Sequence, residues 1–262
     1  MNTKPIGIFD SGLGGISVWK EVIKLLPNEH TIYYADSDNC PYGPRSIEDI
    51  RQLSERIVQF LLHKKCKIIV IACNTITAAA IDYLRTTYRE VSFIGIEPAI
   101  KPAAENTKTG SIGIFATKST LESELFNTTK KKYAENIQVA TQVGEGWVKM
   151  VEENRINTTA SRVLIEENIQ LMLDLNVDQI VLGCTHYPFL LPIVEAITGG
   201  KVNIINPAPA VAGRTKEVLQ QHELLNKNDF KGKYHFYTSG DKRILADFLA
   251  IHTQEKGIIH QD

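Results

Sequence analysis

Two cysteines stand in near-identical surroundings. Cys73 is followed by Asn74-Thr75 and Cys184 by Thr185-His186, and each closes a β-rich run, residues 69–72 and 180–183. A lone cysteine at a strand end is more often a small buried hydrophobe than a nucleophile. Repetition changes that weighting. Each motif is expected at a helix N-terminus, where open N–H groups stabilise a thiolate below its usual pKa of about 8.5. A pair of thiols can close a disulfide, bind a metal or move protons. The two lack CxxC spacing, and Cys40 and Cys66 are not paired to complete a four-ligand zinc site, so no metal is expected. Two-base proton transfer fits the duplication. Inverting a carbon centre needs one group to take a proton from one face and another to deliver a proton to the opposite face. Racemisation joins mirror-image molecules of equal energy, and so calls for a near-symmetric acid/base pair. Cys66, ahead of a buried strand, is assigned to packing; Cys40, followed by Pro41-Tyr42-Gly43, is left open.

A second candidate is Asp10-Ser11-Gly12-Leu13-Gly14-Gly15, between a strand and a helix. Its glycines allow a tight turn, and the helix N-terminus offers N–H groups to an anion. The spacing is not GxGxxG and no Lys-Ser/Thr follows, which argues against a dinucleotide or P-loop site. Asp10 would also repel a phosphate placed against it. A capping carboxylate, or a base or orienting group, suits it better.

These residues need strands to carry them. Residues 5–9, 31–35, 67–72, 92–96, 111–115, 137–141, 179–182, 202–205 and 233–237 read as strands. Ile68-Ile69-Val70-Ile71 is continuously apolar, as in a parallel sheet buried on both faces. Amphipathic stretches lie between. Ser46 with Asp49 opens one like a capping box, Ser119 with Glu122 starts another, and residues 163–175 supply a third. The alternation indicates an open, mainly parallel α/β fold. It also repeats. Ile6-Gly7-Ile8-Phe9 recurs as Ile112-Gly113-Ile114-Phe115, Cys73 is answered by Cys184, and Pro98 by Pro207, in one order and at nearly one offset. The expectation is two pseudo-symmetric α/β domains, 1–98 plus 207–262 and 99–206, with the active site in the cleft between them. Ligands of such sheets bind beyond the carboxyl ends of strands, where Asp10, Cys73, Thr117 and Cys184 fall.

Composition removes other classes. Lys plus Arg is 29 against 30 for Asp plus Glu, a formal charge of −1, so no excess favours nucleic acid or an anionic membrane. Lys130-Lys131-Lys132 reads as a solvated helix face. No apolar run reaches the roughly 18 residues of a membrane span, and the N-terminal residues show no signal-peptide pattern. Unpaired cysteines indicate a reducing, cytoplasmic setting.

The segments IGIFDSGLGG (6–15), PYG (41–43), ACNTITAAA (72–80), EPAIKPA (97–103), GIFATKST (113–120) and LGCTHYP (182–188) resemble the glutamate racemases of the cofactor-independent aspartate/glutamate racemase superfamily. They are spread over most of the chain. The resemblance implies two α/β domains, no cofactor, interconversion of L- and D-glutamate, and supply of D-glutamate to peptidoglycan; it is compatible with a homodimer. It implies that Cys73 takes the α-proton of D-glutamate and Cys184 that of L-glutamate. Asp10 matches a carboxylate supporting the first thiol and His186 a histidine supporting the second. Glu152 matches a family glutamate on the second side, although its lead-in at 144–150 departs from the family's apolar, proline-containing pattern. Ser11, Tyr42, Gly43, Asn74, Thr75, Thr117, Thr120 and Thr185 match substrate-binding positions, with Asp10 and His186 among them. A racemase for aspartate would keep both thiols; a silent binding protein would lose one; a nucleotide-binding enzyme would need phosphate chemistry that is missing.

Overall fold

The computed structural model describes residues 2–262. In chain order its elements are β1 (Ile6–Asp10), α1 (Ile16–Leu25), β2 (Thr31–Ala35), α2 (Ile47–His63), β3 (Ile68–Ile71), α3 (Asn74–Thr87), β4 (Phe93–Gly95), α4 (Ile100–Asn106), β5 (Ser111–Ala116), α5 (Lys118–Glu122), α6 (Glu124–Tyr133), β6 (Gln138–Val143), α7 (Trp147–Glu152), α8 (Thr159–Asp174), β7 (Gln179–Gly183), α9 (Leu191–Thr198), β8 (Asn203–Ile205), α10 (Ala208–Gln221), β9 (Tyr234–Thr238), α11 (Lys242–His252) and β10 (Ile258–Gln261). They fall into two compact units, Met1–Ile96 with Ala208–Asp262, and Glu97–Pro207.

The first unit holds a six-stranded sheet in the order β10-β9-β2-β1-β3-β4, and the second a four-stranded sheet in the order β6-β5-β7-β8. Every strand pair is parallel. The run β2-β1-β3-β4 is thus repeated strand for strand by β6-β5-β7-β8, so the two sheets are pseudo-symmetric. β3, which precedes Cys73, and β7, which precedes Cys184, hold the same place in the two orders.

Local chemistry accounts for the elements. β1 and β3 are buried at every position, as their continuous apolar runs require. Ser46 Oγ accepts the Asp49 N–H at 3.1 Å and opens α2, which buries Ile50, Ile57, Val58 and Leu61. These pack with Phe9, Ile69, Ile71, Ile76 and Leu84 into the core of the first unit. Ile100, Ile112, Ile114, Phe126 and Val181 form a core in the second. No helix among the described residues is long and apolar enough to cross a membrane.

Three expectations need correction. Ser119 does not open a helix: Thr117 caps α5 by accepting the Thr120 N–H, and Ser123 caps α6. A threonine two residues earlier had the better reach to an open N–H. The chain after Cys184 forms a turn and a 3-10 helix, Tyr187–Leu190, before α9, rather than an α-helix. Pro188 lacks the N–H that a continuing α-helical turn would use. Finally, β10 pairs with β9 at the sheet edge, where no strand was expected.

Candidate active site

In the first unit the structure brings Asp10, Ser11 and Cys73 to neighbouring strand ends. β1 and β3 pair directly, Asp10 closes β1, and Cys73 lies two residues past β3. Asp10 is fully buried, and its Oδ2 accepts the Gly15 N–H at 2.7 Å, closing the glycine turn. Gly15 tolerates no side chain, since a Cβ would lie 2.6 Å from the Asp10 Cβ and 2.8 Å from the Tyr33 hydroxyl. That hydroxyl donates to the Gly12 carbonyl at 2.7 Å and braces the turn from below. The Cys73 Sγ lies 3.8 Å from the Ser11 Oγ and only 6% of the residue is exposed. Cys73 is the N-cap of α3, where the positive end of a four-turn helix favours an anionic sulfur.

Asn74 and Thr75 open α3 and are both buried. The Asn74 amide is unusual: neither its Nδ2 nor its Oδ1 has a partner among the described residues. A buried amide left unpaired costs about 1–3 kcal/mol, a cost expected where a ligand completes the bonding. Tyr42 is buried, and its hydroxyl donates to Asp36 Oδ2 at 2.5 Å. Burial, the Asp36 carboxylate and the nearby Cys73 sulfur all push the phenol well above its usual pKa, so it stays protonated. The N–H groups of Tyr42 and Gly43 have no acceptor among the described residues. Arg45 is spoken for by the Asn39 carbonyl and the Asp49 carboxylate.

In the second unit a relay of three side chains assembles from separate elements. Cys184, directly after β7, has its Sγ 3.6 Å from His186 Nδ1. His186 Nε2 lies 2.6 Å from Glu152 Oε1 at the end of α7. The imidazole is 3% exposed and the carboxylate 18% exposed. A carboxylate on one ring nitrogen can hold the other towards a sulfur and would stabilise an imidazolium there. The altered lead-in at 144–150 still delivers Glu152. Trp147 stacks on Phe115, with ring centroids 4.8 Å apart, and meets Tyr187 edge-on at 4.9 Å. Gly144 lets that cluster close, since a Cβ there would come within 2.6 Å of the Tyr187 hydroxyl oxygen. Burial, with the Cys184 sulfur beside it, raises the Tyr187 phenol well above its usual value.

Thr185 is buried beside Cys184, while Thr117 and Thr120 share a hydroxyl contact of 2.9 Å at the start of α5, directly after β5. All four cysteines are thiols without disulfides. Burial pushes the Cys66 thiol up to about 12, which leaves it inert near neutral pH. Asp36, one residue past β2, escaped the sequence reading. Its only signal was a position matching Asp10, with which its strand is in register.

Parallel α/β units with a repeated thiol at equivalent strand ends define a class of proton-transfer protein. The chain belongs to the Asp/Glu/hydantoin racemase family, which it matches over residues 6–215, and it is a racemase. It is 44% identical over 246 residues to the glutamate racemase of Herpetosiphon aurantiacus, covering 94% of this chain and 96% of that one. A glutamate racemase isoform from Bacillus anthracis superposes with a TM-score of 0.91 at 28% identity, covering 100% of this chain and 98% of that one. The Francisella tularensis glutamate racemase, solved with D-glutamate, gives 0.85 at 28% identity over the same shares.

Proposed function

We propose that this racemase interconverts L- and D-glutamate by two-base proton transfer, with Cys73 acting on D-glutamate and Cys184 on L-glutamate. The observation that carries the reading is the pair of buried thiols following topologically equivalent strands, each with its own polar support. One thiolate removes the α-proton, and the other thiol supplies a proton to the opposite face of the same carbon. His186, held by Glu152, takes the Cys184 proton; Asp10 serves the Cys73 side. The unpaired Asn74 amide and the open N–H groups of Tyr42 and Gly43 suit a substrate with two carboxylates and an ammonium, with Ser11, Thr75, Thr117, Thr120 and Thr185 adding hydroxyls. The relatives from Herpetosiphon aurantiacus and Francisella tularensis are glutamate racemases, which favours glutamate over aspartate. D-glutamate made this way supplies peptidoglycan, and a cytoplasmic site accords with four reduced thiols.

The deciding experiment is incubation of purified protein with L-glutamate in D₂O without added cofactor. Loss of the circular dichroism signal and deuterium at the α-carbon are expected together. Response to aspartate alone would overturn the substrate, and silence with both would overturn the reaction.

Glu152→Gln tests the relay. The amide cannot stabilise the imidazolium by charge and can present the wrong group to Nε2. Racemisation should fall by roughly ten- to a thousandfold, less than the roughly hundred- to ten-thousandfold of losing an acid/base group outright. Unchanged kcat/KM across pH 6–9, from about half a unit below the ordinary imidazole pKa of about 6.5 to about 2.5 units above it, would remove Glu152 from the mechanism.

A further inference from the structure

The Pro41–Gly43 turn offers two neighbouring N–H groups, yet no regular element holds it. Its anchor is a side chain that plays no part in the reaction described above. Asp36 is fully buried. Its Oδ2 accepts the Tyr42 hydroxyl at 2.5 Å and an Asn39 amide hydrogen at 3.1 Å. Its Oδ1 accepts from Asn39 at 3.1 Å and from Arg56 at 3.1 Å, a guanidinium reaching in from the surface. Its own N–H donates to the Asp10 carbonyl at 3.1 Å. One residue therefore ties the end of β1, which carries Asp10 and Ser11, to the tyrosine that pins the turn. Both carboxylate oxygens are filled by donors, so Asp36 has no lone pair to spare for a moving proton.

We propose that Asp36 is a positioning residue: through the Tyr42 hydroxyl it holds the Tyr42 and Gly43 N–H groups where they receive a substrate carboxylate. The assignment rests on the racemase reading. It separates the two ends of Tyr42, whose ring oxygen faces Asp36 while its backbone faces the ligand. The consequence is specific. Loosening the anchor weakens ground-state binding of both enantiomers, because both carry the same two carboxylates, and leaves the thiols and their proton transfer in place. KM changes; kcat largely does not.

The test uses Tyr42→Phe, Asp36→Asn and the double variant. Tyr42→Phe keeps the ring in its pocket and removes one oxygen, so it reports even if Asp36→Asn fails to fold. Each single variant should raise KM for L- and for D-glutamate by about tenfold or more, the size of a hydrogen bond to a charged group. The kcat values should stay within about threefold, well below the loss expected from removing an acid/base group. The double variant should be no worse than Tyr42→Phe, since Asp36 acts through that hydroxyl. An unchanged KM in Tyr42→Phe, a fall in kcat without a rise in KM, or additive losses in the double variant would each overturn the proposal. Failure of the wild-type protein to racemise glutamate would instead overturn the reading beneath it.

Discussion

Cys73→Ser and Cys184→Ser will each lower glutamate racemisation by roughly a hundred- to ten-thousandfold, the contribution of a positioned acid/base group. A hydroxyl in place of either thiol keeps the hydrogen-bonding geometry but is too weak an acid to supply an anionic base near neutral pH. Folding should be spared, because serine is slightly smaller than the cysteine it replaces and both sites already face polar partners, Ser11 for one and His186 for the other. L- and D-glutamate have equal free energies, so kcat/KM must fall by the same factor in both directions whichever thiol is lost. Steady-state rates alone therefore cannot say which thiol serves which enantiomer. Exchange in D₂O can. With Cys184 intact, the Cys73→Ser protein should exchange the α-proton of L-glutamate without inverting it; the Cys184→Ser protein should do so only for D-glutamate. Full turnover in either variant would end the two-base mechanism. Exchange of the opposite enantiomers would swap the assignments.

The chemistry was legible where it was duplicated. The echo of Phe9 by Phe115 and of Cys73 by Cys184 located equivalent strands before any contact was known, and β1, β3, β5 and β7 occur in equivalent places in the two sheets. The echo also misled: it implied matching helix N-termini, but proline after His186 turns the second copy into a 3-10 helix. Periodicity failed for β10, whose four residues are half-exposed at a sheet edge and whose strand character comes from pairing with β9. What depends on distant side chains was not legible. Nothing in spacing joins Glu152 to His186; the fold does so by packing Trp147 against Phe115 and Tyr187. Asp36 was missed, since its meaning depends on Asn39, Tyr42 and Arg56 around it.

Lys67→Met will destabilise the first unit by about 3–5 kcal/mol, the penalty for leaving one member of a buried ion pair alone. Lys67 Nζ lies 2.6 Å from Glu29 Oε2, with the two side chains only 1% and 2% exposed. The same ammonium donates to the Leu224 carbonyl at 2.7 Å, and Glu29 Oε1 accepts the Asn226 N–H at 2.7 Å. The pair thus joins the approaches to β2 and β3 to the segment following α10, where the chain has returned from the second unit. Burial pulls the Lys67 ammonium below its ordinary value while Glu29 pulls it back up. Once the ammonium is gone, the Glu29 carboxylate keeps its burial and loses its partner, and an uncompensated charge is left in the core. Urea unfolding of the variant beside the wild type measures this directly. Adding Glu29→Gln, which keeps an acceptor for Asn226 and removes the stranded charge, should recover a large part of the loss. A double variant no more stable than Lys67→Met would mean that the packing of the lysine stem rather than the charge pair holds these segments together.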